Sequence, residues 1–319
     1  MSAGRPLLAF RPVAAVHRLP PHSQACPLSL RDVLRALPGR RPLPIFRAPL
    51  PALARAALLA ARQARSAVGL APAPGQHPER WFDAVARAAD ELAPRLPLFL
   101  SGEVAVGRGE GALERARRLS HRLVEAGLTH LAVDVSLVPA ADRARAAAEV
   151  AAPAVEREVA VECLGPDGGA GPDPEEAAAF RDELHGWGLA PDAIGVRCLA
   201  PEGIEETRAQ ARLLGEAAAA LGETRLVRRG PATSLLFRIS RAAGLTAVDD
   251  GGRMLEAGLS ALAPGERADV ARRLEEGVLP GIPEEAAARL EGLAFAEAEA
   301  VLEALGSEGT GEAVEAGLS

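Results

Sequence analysis

The sequence predicts an α/β fold, and within that class a (β/α)8 TIM barrel with an N-terminal arm and helix and extra C-terminal helices. Eight short apolar segments alternate with segments rich in alanine, arginine and glutamate, whose apolar residues recur every three to four positions. Each apolar segment is nearly continuous, which is typical of parallel strands covered on both faces. Eight such strands close into a barrel of about 250 residues. An open doubly wound sheet is the alternative, but no GxGxxG motif follows the first strand; Gly107, Gly109 and Gly111 follow the third.

Strands and helices are expected in turn through the middle of the chain. The strands are expected at 43–46, 66–71, 96–100, 128–135, 159–163, 193–198, 224–228 and 245–248. The helices are expected near 51–65, 78–93, 110–127, 140–155, 174–187, 202–221 and 231–243. Prolines that suit the first turn of a helix are Pro51, Pro78 and Pro174. Glycines that suit the left-handed position after a helix end are Gly127, Gly188, Gly222 and Gly244.

The two ends of the chain carry opposite charge and divide it into three parts. Residues 1–41 hold seven arginines against one acid, and are expected to form a loose basic arm followed by a short capping helix at 28–37. Residues 42–262 are expected to form the barrel. Residues 263–319 are expected to form two helices, near 264–276 and 283–306, and an acidic tail whose last dozen residues fray.

Composition excludes several kinds of chemistry. The formal net charge is −7 and every basic residue is an arginine, so no lysine is present for a Schiff base, for pyridoxal phosphate or for a P-loop. Three scattered cysteines do not make a disulfide framework, and no apolar run is long enough to span a membrane. The arm has one aromatic residue, Phe10, which argues against nucleic acid. We therefore expect a cytoplasmic protein that binds neither nucleic acid nor membrane.

The carboxyl ends of the predicted strands are the expected site, because barrel chemistry gathers at that face. Several carboxylates stand there, and Glu103, Asp134 and Glu162 are the candidate catalytic groups among them. The candidate anion-binding residues are Arg197, Arg229, Gly230, Ser234 and Arg253. Arginine forks suit a carboxylate or phosphate, and Gly230 leads into a helix N-terminus that favours an anion. A salt-bridged barrel mouth and a simple helix cap are the structural alternatives.

A metal site is not expected. None of the six histidines lies at a predicted strand end; His130, for example, falls early in its strand, away from the catalytic face. A zinc site in the mouth needs imidazoles or carboxylates with an open position. Cys163 and Cys198 with carboxylates are the remaining alternative, but the two thiols are better explained as small buried hydrophobic residues. We therefore expect no cofactor.

Four segments carry a family resemblance. The run LTHLAVDVSLVP at 128–139, then a helix, then VAVECLG at 159–165 resembles the centre of class II ketose-bisphosphate aldolases. The run LFLSGEV at 98–104 stands where that family has an Asp-His pair. The segment order over 28–262 is most similar to the non-catalytic companion subunit of tagatose-bisphosphate aldolase, and HPERWF at 77–82 is similar to its entry to the second helix.

The resemblance implies roles and also departures from them. It places Glu103 at the position of the acid/base Asp, and Val104 where a zinc-ligating His is expected. Arg197 or Cys198 and then Arg229 stand where the other His ligands would be. These departures favour a non-catalytic or divergent homologue that binds a small anionic, sugar-phosphate-like ligand, with arginines in place of the metal. The alternative is an active carbon–carbon lyase or isomerase of carbohydrate metabolism that uses Glu103 as acid/base. A homo-oligomer or a companion aldolase subunit is the expected protein partner.

Overall fold

A closed parallel barrel organises the chain. The computed structural model describes residues 7–37, 39, 41–165 and 169–318. The barrel strands are β2 (Leu43–Arg47), β3 (Val68–Ala71), β4 (Pro97–Ala105), β5 (His130–Asp134), β6 (Ala160–Leu164), β7 (Ala193–Arg197), β8 (Arg225–Arg229) and β9 (Ala247–Asp249). Each pairs in parallel with the next, and β9 pairs with β2, which closes the circle. The predicted TIM barrel and all eight predicted strands are therefore confirmed, with boundaries shifted by a few residues.

Helices surround the barrel in the predicted alternation. They are α3 (Pro51–Gln63), α4 (Pro78–Leu92), α5 (Ala112–Glu125), α6 (Ala140–Glu156), α7 (Pro174–Gly186), α8 (Gly203–Ala220), α9 (Ser234–Ser240) and α10 (Arg253–Leu259). The chain continues with α11 (Pro264–Glu275), α12 (Glu284–Leu305) and α13 (Thr310–Leu318). Pro51, Pro78 and Pro174 lie in first turns as predicted. The helices α10 and α13 were not predicted, because both are short and follow glycine-rich turns.

The apolar core has two layers, which the alternation of side chains along each strand separates. Phe46 faces outward and packs with residues of the surrounding helices, while Leu43 and Ile45 face the barrel interior. Phe99 fills the interior near its amino-terminal end. Gly69 stands against its ring, where a Cβ would collide with it. The barrel interior is thus apolar at its amino-terminal end, and the polar inward-facing residues lie at its carboxyl-terminal end.

Strand β4 is longer than predicted. It runs to Ala105 because β5 pairs with its second half, from Ser101 opposite His130 to Ala105 opposite Asp134. Its first residues instead pair with a two-residue strand β1 (Cys26–Pro27), which the sequence pattern did not indicate. Ser101 and Glu103 therefore belong to a strand, and their side chains have fixed directions.

The N-terminal segment packs tightly over the part that is described. It forms a 3-10 helix η1 (Leu7–Phe10), α1 (Val13–Arg18) and α2 (Leu30–Ala36). Asp90 Oδ1 accepts hydrogen bonds from the backbone N–H groups of Gln24 at 2.6 Å and Ala25 at 2.7 Å. Arg31 binds both carboxylate oxygens of Asp192. The expectation of a loose arm is wrong here, because these bonds tie the segment to the barrel; residues 1–6 of the predicted arm lie outside the described residues.

The C-terminal tail is a docked helix, so the expectation that it frays is wrong. In α13, Val314 is fully buried with Leu7 in the cluster that fills the amino-terminal end of the barrel. Thr310 Oγ1 accepts a hydrogen bond from the backbone N–H of Ala67 at 3.0 Å. The charge pattern hid this packing, since the acids of α13 lie on its outer side around one buried apolar position. Within the described ranges, none of the helices has the length and apolar character needed to cross a bilayer.

Replacing Val314 with alanine should lower the free energy of unfolding by about 2 kcal/mol, because two buried methyl groups are removed and the barrel end cannot fully close around the gap. Urea denaturation followed by circular dichroism measures this change. Val155→Ala is the matched control, since Val155 is half exposed on α6. An equal effect of the two substitutions would contradict the docking of α13.

Candidate functional site

Inward-facing residues at the carboxyl ends of the strands make the barrel mouth. Side chains on a strand alternate between its two faces, so Ser101 and Glu103 face the same side, and so do His130 and Asp134 on the next strand. Glu162, Arg197, Arg229 and Asp249 take the equivalent inward positions on β6 to β9. The mouth therefore holds two sets of contacts, one at its rim and one buried beneath it.

The rim bridge consists of Glu103, Asp134 and Arg197. Arg197 Nη2 donates hydrogen bonds to Glu103 Oε1 at 3.0 Å and to Asp134 Oδ2 at 2.8 Å. The Arg197 side chain is 36% exposed and that of Glu103 is 32% exposed, while Asp134 is nearly buried. Burial acts to lower the pKa of Arg197, but the two carboxylates outweigh it and raise the pKa. Three of the predicted site residues are thus in direct contact.

The buried cluster lies below the rim and contains Glu162, Arg229, Asp249, His130 and Ser101. Arg229 binds Glu162 through two hydrogen bonds, Nε to Oε1 at 2.9 Å and Nη2 to Oε2 at 2.6 Å. Arg229 Nη1 also lies 3.5 Å from Asp249 Oδ2. Burial acts to raise the pKa of Glu162, but the charge of Arg229 and the contacts of Arg229 and His130 lower it to about 2. The carboxylate is therefore ionised at neutral pH.

Gly195 on β7 provides the space that this ion pair needs. A Cβ at that position would collide with Glu162 Oε1 and crowd Leu164. The glycine lies opposite Leu164 on one side and Val227 on the other, so it belongs to the strand rather than to a turn. Its role is therefore close approach, not an unusual backbone angle.

His130 and Ser101 complete the buried cluster, and neither was among the predicted site residues. His130 Nδ1 lies 3.0 Å from Ser101 Oγ, and His130 Nε2 lies 3.2 Å from Glu162 Oε2. The second contact is short but poorly aligned for a hydrogen bond. The interpretation of His130 as lying away from the site is wrong, because Glu162 reaches down to it. The signal that could have indicated His130 is its spacing from Asp134: the two residues are four positions apart on β5, so their side chains lie on the same face of the strand.

Asp249 and its neighbour Asp250 point to opposite sides of β9. Asp250 is fully buried and accepts backbone hydrogen bonds from Gly252 and Met254 at the start of α10. Burial and the neighbouring charge of Asp249 raise the pKa of Asp250 to about 7, despite these backbone bonds. Asp250 therefore stabilises the loop after β9, while Asp249 belongs to the buried cluster through its contact with Arg229.

A cavity of about 320 Å³ opens at the barrel mouth. Its charged lining residues are Arg47, Arg122, Arg229, Glu103 and Asp249, and Ser101 lies at its wall. The loop from Pro72 to Gln76 after β3 forms one side. Asp134 and Glu162 stand behind this lining. Of the predicted site residues, the cavity therefore joins Glu103 and Arg229, while Arg47 and Arg122 are additions that the prediction lacked.

The remaining predicted anion-binding residues lie outside this cavity's lining. Arg253 donates to Ser234 Oγ at 3.0 Å, pairs with Glu297 Oε1 at 2.6 Å, and covers the ring of Phe237. Gly230 has a φ of +96° and stands close to the carbonyl oxygen of Cys198, so only glycine suits it. These residues hold α9, α10 and α12 together in the structure.

The donor set does not fit the metal that the resemblance implies. Val104 faces the outer core layer, while Arg197 and Arg229 offer guanidinium groups, which cannot ligate a cation. Within the described residues, no group of three or more His, Cys, Asp or Glu side chains is placed to hold a metal ion. Cys163 and Cys198 are buried, and burial raises the pKa of both thiols, that of Cys198 to about 11. We therefore derive no step through a metal.

Comparison with solved structures identifies the fold. The YdjI aldolase from Escherichia coli K12 superimposes with a TM-score of 0.64 at 15% identity, over 88% of this chain and 97% of that chain. The fructose-bisphosphate aldolase of Campylobacter jejuni gives a TM-score of 0.59 at 13% identity, over 88% and 94% of the two chains. The chain has an aldolase-like TIM-barrel fold. No family model and no curated protein sequence matches it. The similarity to these structures is one of fold alone, so the chemistry of the mouth depends on this chain's own residues.

Replacing Arg229 with methionine should destabilise this aldolase-like barrel by about 3–5 kcal/mol at pH 7, because Glu162 is left as a buried unpaired charge. Arg197→Met is the matched control and should cost at most about 1 kcal/mol, since the rim bridge is partly exposed to water. Urea denaturation of both variants measures the difference. Similar losses of unfolding free energy in the two variants would contradict the prediction that the buried ion pair contributes more to stability than the rim bridge.

Glu162 should make stability depend on acid pH. Its pKa is lowered in the folded state from 4.5 to about 2, so its contribution is present above pH 4.5 and is lost as the pH falls through 2. The difference in unfolding free energy between the wild type and Glu162→Gln should therefore narrow from pH 5 to pH 2. Denaturation curves over this range test it, and a constant difference would contradict the assignment.

Proposed function

We propose that the chain binds a small anionic, sugar-phosphate-like metabolite in the mouth cavity without a metal ion, as a non-catalytic or divergent aldolase-like barrel. The observation that carries this proposal is the state of the arginines that line the cavity. Arg47 lies with its Nε 4.0 Å from Asp249 Oδ2, and in the described part of the chain its guanidinium makes no hydrogen bond. Arg122 is exposed at the same wall. The guanidinium groups of both arginines are thus available to bind a phosphate.

The charge of the cavity supports an anion. Three arginines and two carboxylates line it, and Arg229 is already held by Glu162 and Asp249. Arg47 and Arg122 are the two cations left for a ligand, and arginine forks recognise phosphate through paired hydrogen bonds. The volume suits a small metabolite, since ligand cavities begin at about 300 Å³. Arg197, Arg229, Gly230, Ser234 and Arg253 would then act mainly by shaping the surroundings of the ligand.

A second candidate function rests on Glu103. Its carboxylate lines the cavity, is 32% exposed, and has only Oε1 bound by Arg197. Oε2 is therefore free to accept a proton from a bound carbohydrate, as an aldolase-type lyase or an isomerase requires. Asp134 would help to position Arg197 by accepting from the same Nη2 nitrogen, and Glu162 would hold Arg229 in place. In the companion-subunit form of the proposal, an aldolase subunit is the protein partner.

Isothermal titration calorimetry with fructose 1,6-bisphosphate tests binding, and unphosphorylated fructose is the ligand control. The bisphosphate should bind and fructose should not. Arg47→Met should weaken binding by about tenfold or more, because a charge-assisted contact is lost. Arg118→Met is the matched control, since Arg118 lies on α5 and pairs with Glu114.

Each outcome of this titration separates the two candidate functions. Absence of heat with the bisphosphate, or equal heats for wild type and Arg47→Met, would overturn anion binding in the cavity. A continuing heat flow after mixing would indicate turnover, and its loss in Glu103→Gln would favour the lyase or isomerase.

A further inference from the structure

Three residues of the buried cluster form a line from the cavity wall into the barrel. Ser101 Oγ lies 3.0 Å from His130 Nδ1, and His130 Nε2 lies 3.2 Å from Glu162 Oε2. They stand on the adjacent strands β4, β5 and β6, and Ser101 and His130 are register partners. A hydroxyl, an imidazole within hydrogen-bond reach and a third group beside the imidazole are the arrangement that activates a nucleophile.

The charge of Glu162 decides which nitrogen of His130 holds the proton. Glu162 is ionised and can only accept, so a neutral imidazole places its N–H on Nε2, facing the carboxylate. Nδ1 then carries the lone pair and accepts the hydrogen bond from the Ser101 hydroxyl. This is the tautomer that a base for Ser101 requires. The Nε2 contact is short but poorly aligned; catalytic hydrogen bonds often tighten only when a substrate binds.

The surrounding charges accommodate a proton on His130. Arg229 contributes one positive charge to the buried cluster, and Glu162 and Asp249 contribute two negative charges. A protonated His130 would bring this cluster to neutrality, which limits the cost of a buried imidazolium. The edge-on ring of Phe99, whose centroid lies 6.0 Å from that of His130, holds the imidazole on another side.

Ser101 meets the cavity, whereas His130 and Glu162 stand behind it. The same cavity presents Arg47, whose guanidinium keeps its N–H groups for a ligand. A cation at that place can stabilise negative charge that develops on a carbonyl oxygen. A small ligand in the cavity could thus meet the Ser101 hydroxyl and the Arg47 guanidinium together, with the base His130 directly behind Ser101.

We propose that Ser101 is a nucleophile for small acyl esters, with His130 as its base and Glu162 as the group that orients His130. The Ser101 oxygen bonds to the carbonyl carbon while its proton passes to His130 Nδ1. The alcohol oxygen leaves with the electron pair of its bond to that carbon and takes this proton. Water then attacks the carbonyl carbon of the acyl-serine while one of its protons passes to His130 Nδ1. The Ser101 oxygen leaves with the electron pair of its bond to that carbon and takes this proton, which releases the acid and restores Ser101 and neutral His130. Ester and water are consumed, and no other reactant is needed.

Labelling with diisopropyl fluorophosphate, a small serine-directed probe, tests the proposal. Ser101 Oγ should bond to phosphorus with loss of fluoride, giving one adduct that peptide mass spectrometry places at Ser101. Ser101→Ala should abolish the adduct. His130→Gln should slow its formation by about 100-fold or more, because the base is lost. Ser136→Ala is the control: Ser136 is at the end of β5, is more exposed than Ser101, and should not change labelling.

The wild-type protein alone decides the main outcome, so an unstable variant cannot hide it. No adduct at Ser101 in the folded wild type, checked by circular dichroism, overturns the proposal. An adduct that forms equally fast in folded His130→Gln also overturns it, since the line of three residues would then have no effect. Hydrolysis of p-nitrophenyl acetate that disappears in Ser101→Ala supports it. This inference does not depend on phosphate binding, so the titration and the labelling can fail separately.

Discussion

The pairing of Arg229 with Glu162 is the constraint on which the barrel mouth depends. Two full charges lie inside a closed sheet, and each is tolerated there only because the other is 2.6–2.9 Å away through two hydrogen bonds. The planar guanidinium fixes the direction of the carboxylate, and Gly195 leaves the room for it. Asp249 and His130 then take the remaining sides. The Arg229–Glu162 pair and the residues that contact it therefore determine the arrangement of the polar half of the barrel interior.

The other half of the interior is apolar and closed by the two ends of the chain. The segment from η1 to α2 and the helix α13 cover the amino-terminal end, where Leu7, Phe99 and Val314 are buried in one cluster. Because that end is sealed, the cavity opens only at the carboxyl ends of the strands. The sealed apolar end and the candidate site thus occupy opposite ends of the barrel, as is general for this architecture.

Guanidinium groups set this mouth apart from one built around a metal ion. A cation held by three side chains can polarise a ligand and also leave, whereas Arg229 is covalently part of the chain and bound on both sides by acids. Arg229 places a positive charge in the centre of the mouth, but its N–H groups can donate hydrogen bonds only in the plane of the guanidinium. Under the proposed function, ligand recognition would lie further out, with Arg47 and Arg122. The acid–base groups would be Glu103 and the line from Ser101 to Glu162.

The alternation of apolar and helical segments predicted most of the fold. Local patterns suffice for that, because strands and helices depend on the periodicity of neighbouring residues. Pro51, Pro78 and Pro174 lie in first turns, where the missing N–H of proline costs no hydrogen bond. Strand ends also indicated Glu103, Asp134, Glu162, Arg197 and Arg229, since parallel strands bring their carboxyl ends to one face. The contact of Arg197 with two of these carboxylates followed from that placement.

Local patterns could not show how deep each side chain lies or what it meets across the barrel. His130 was set aside because it begins its strand, yet the stagger between β5 and β6 brings Glu162 beside it. Arg253 and Ser234 were grouped with the mouth, yet Glu297 on α12 draws Arg253 away. The acidic tail was expected to fray, although Val314 is buried against the far end of the chain. The sequence by itself determined the elements and their order; the tertiary structure decided register, depth and partners, because these depend on residues that are distant along the chain.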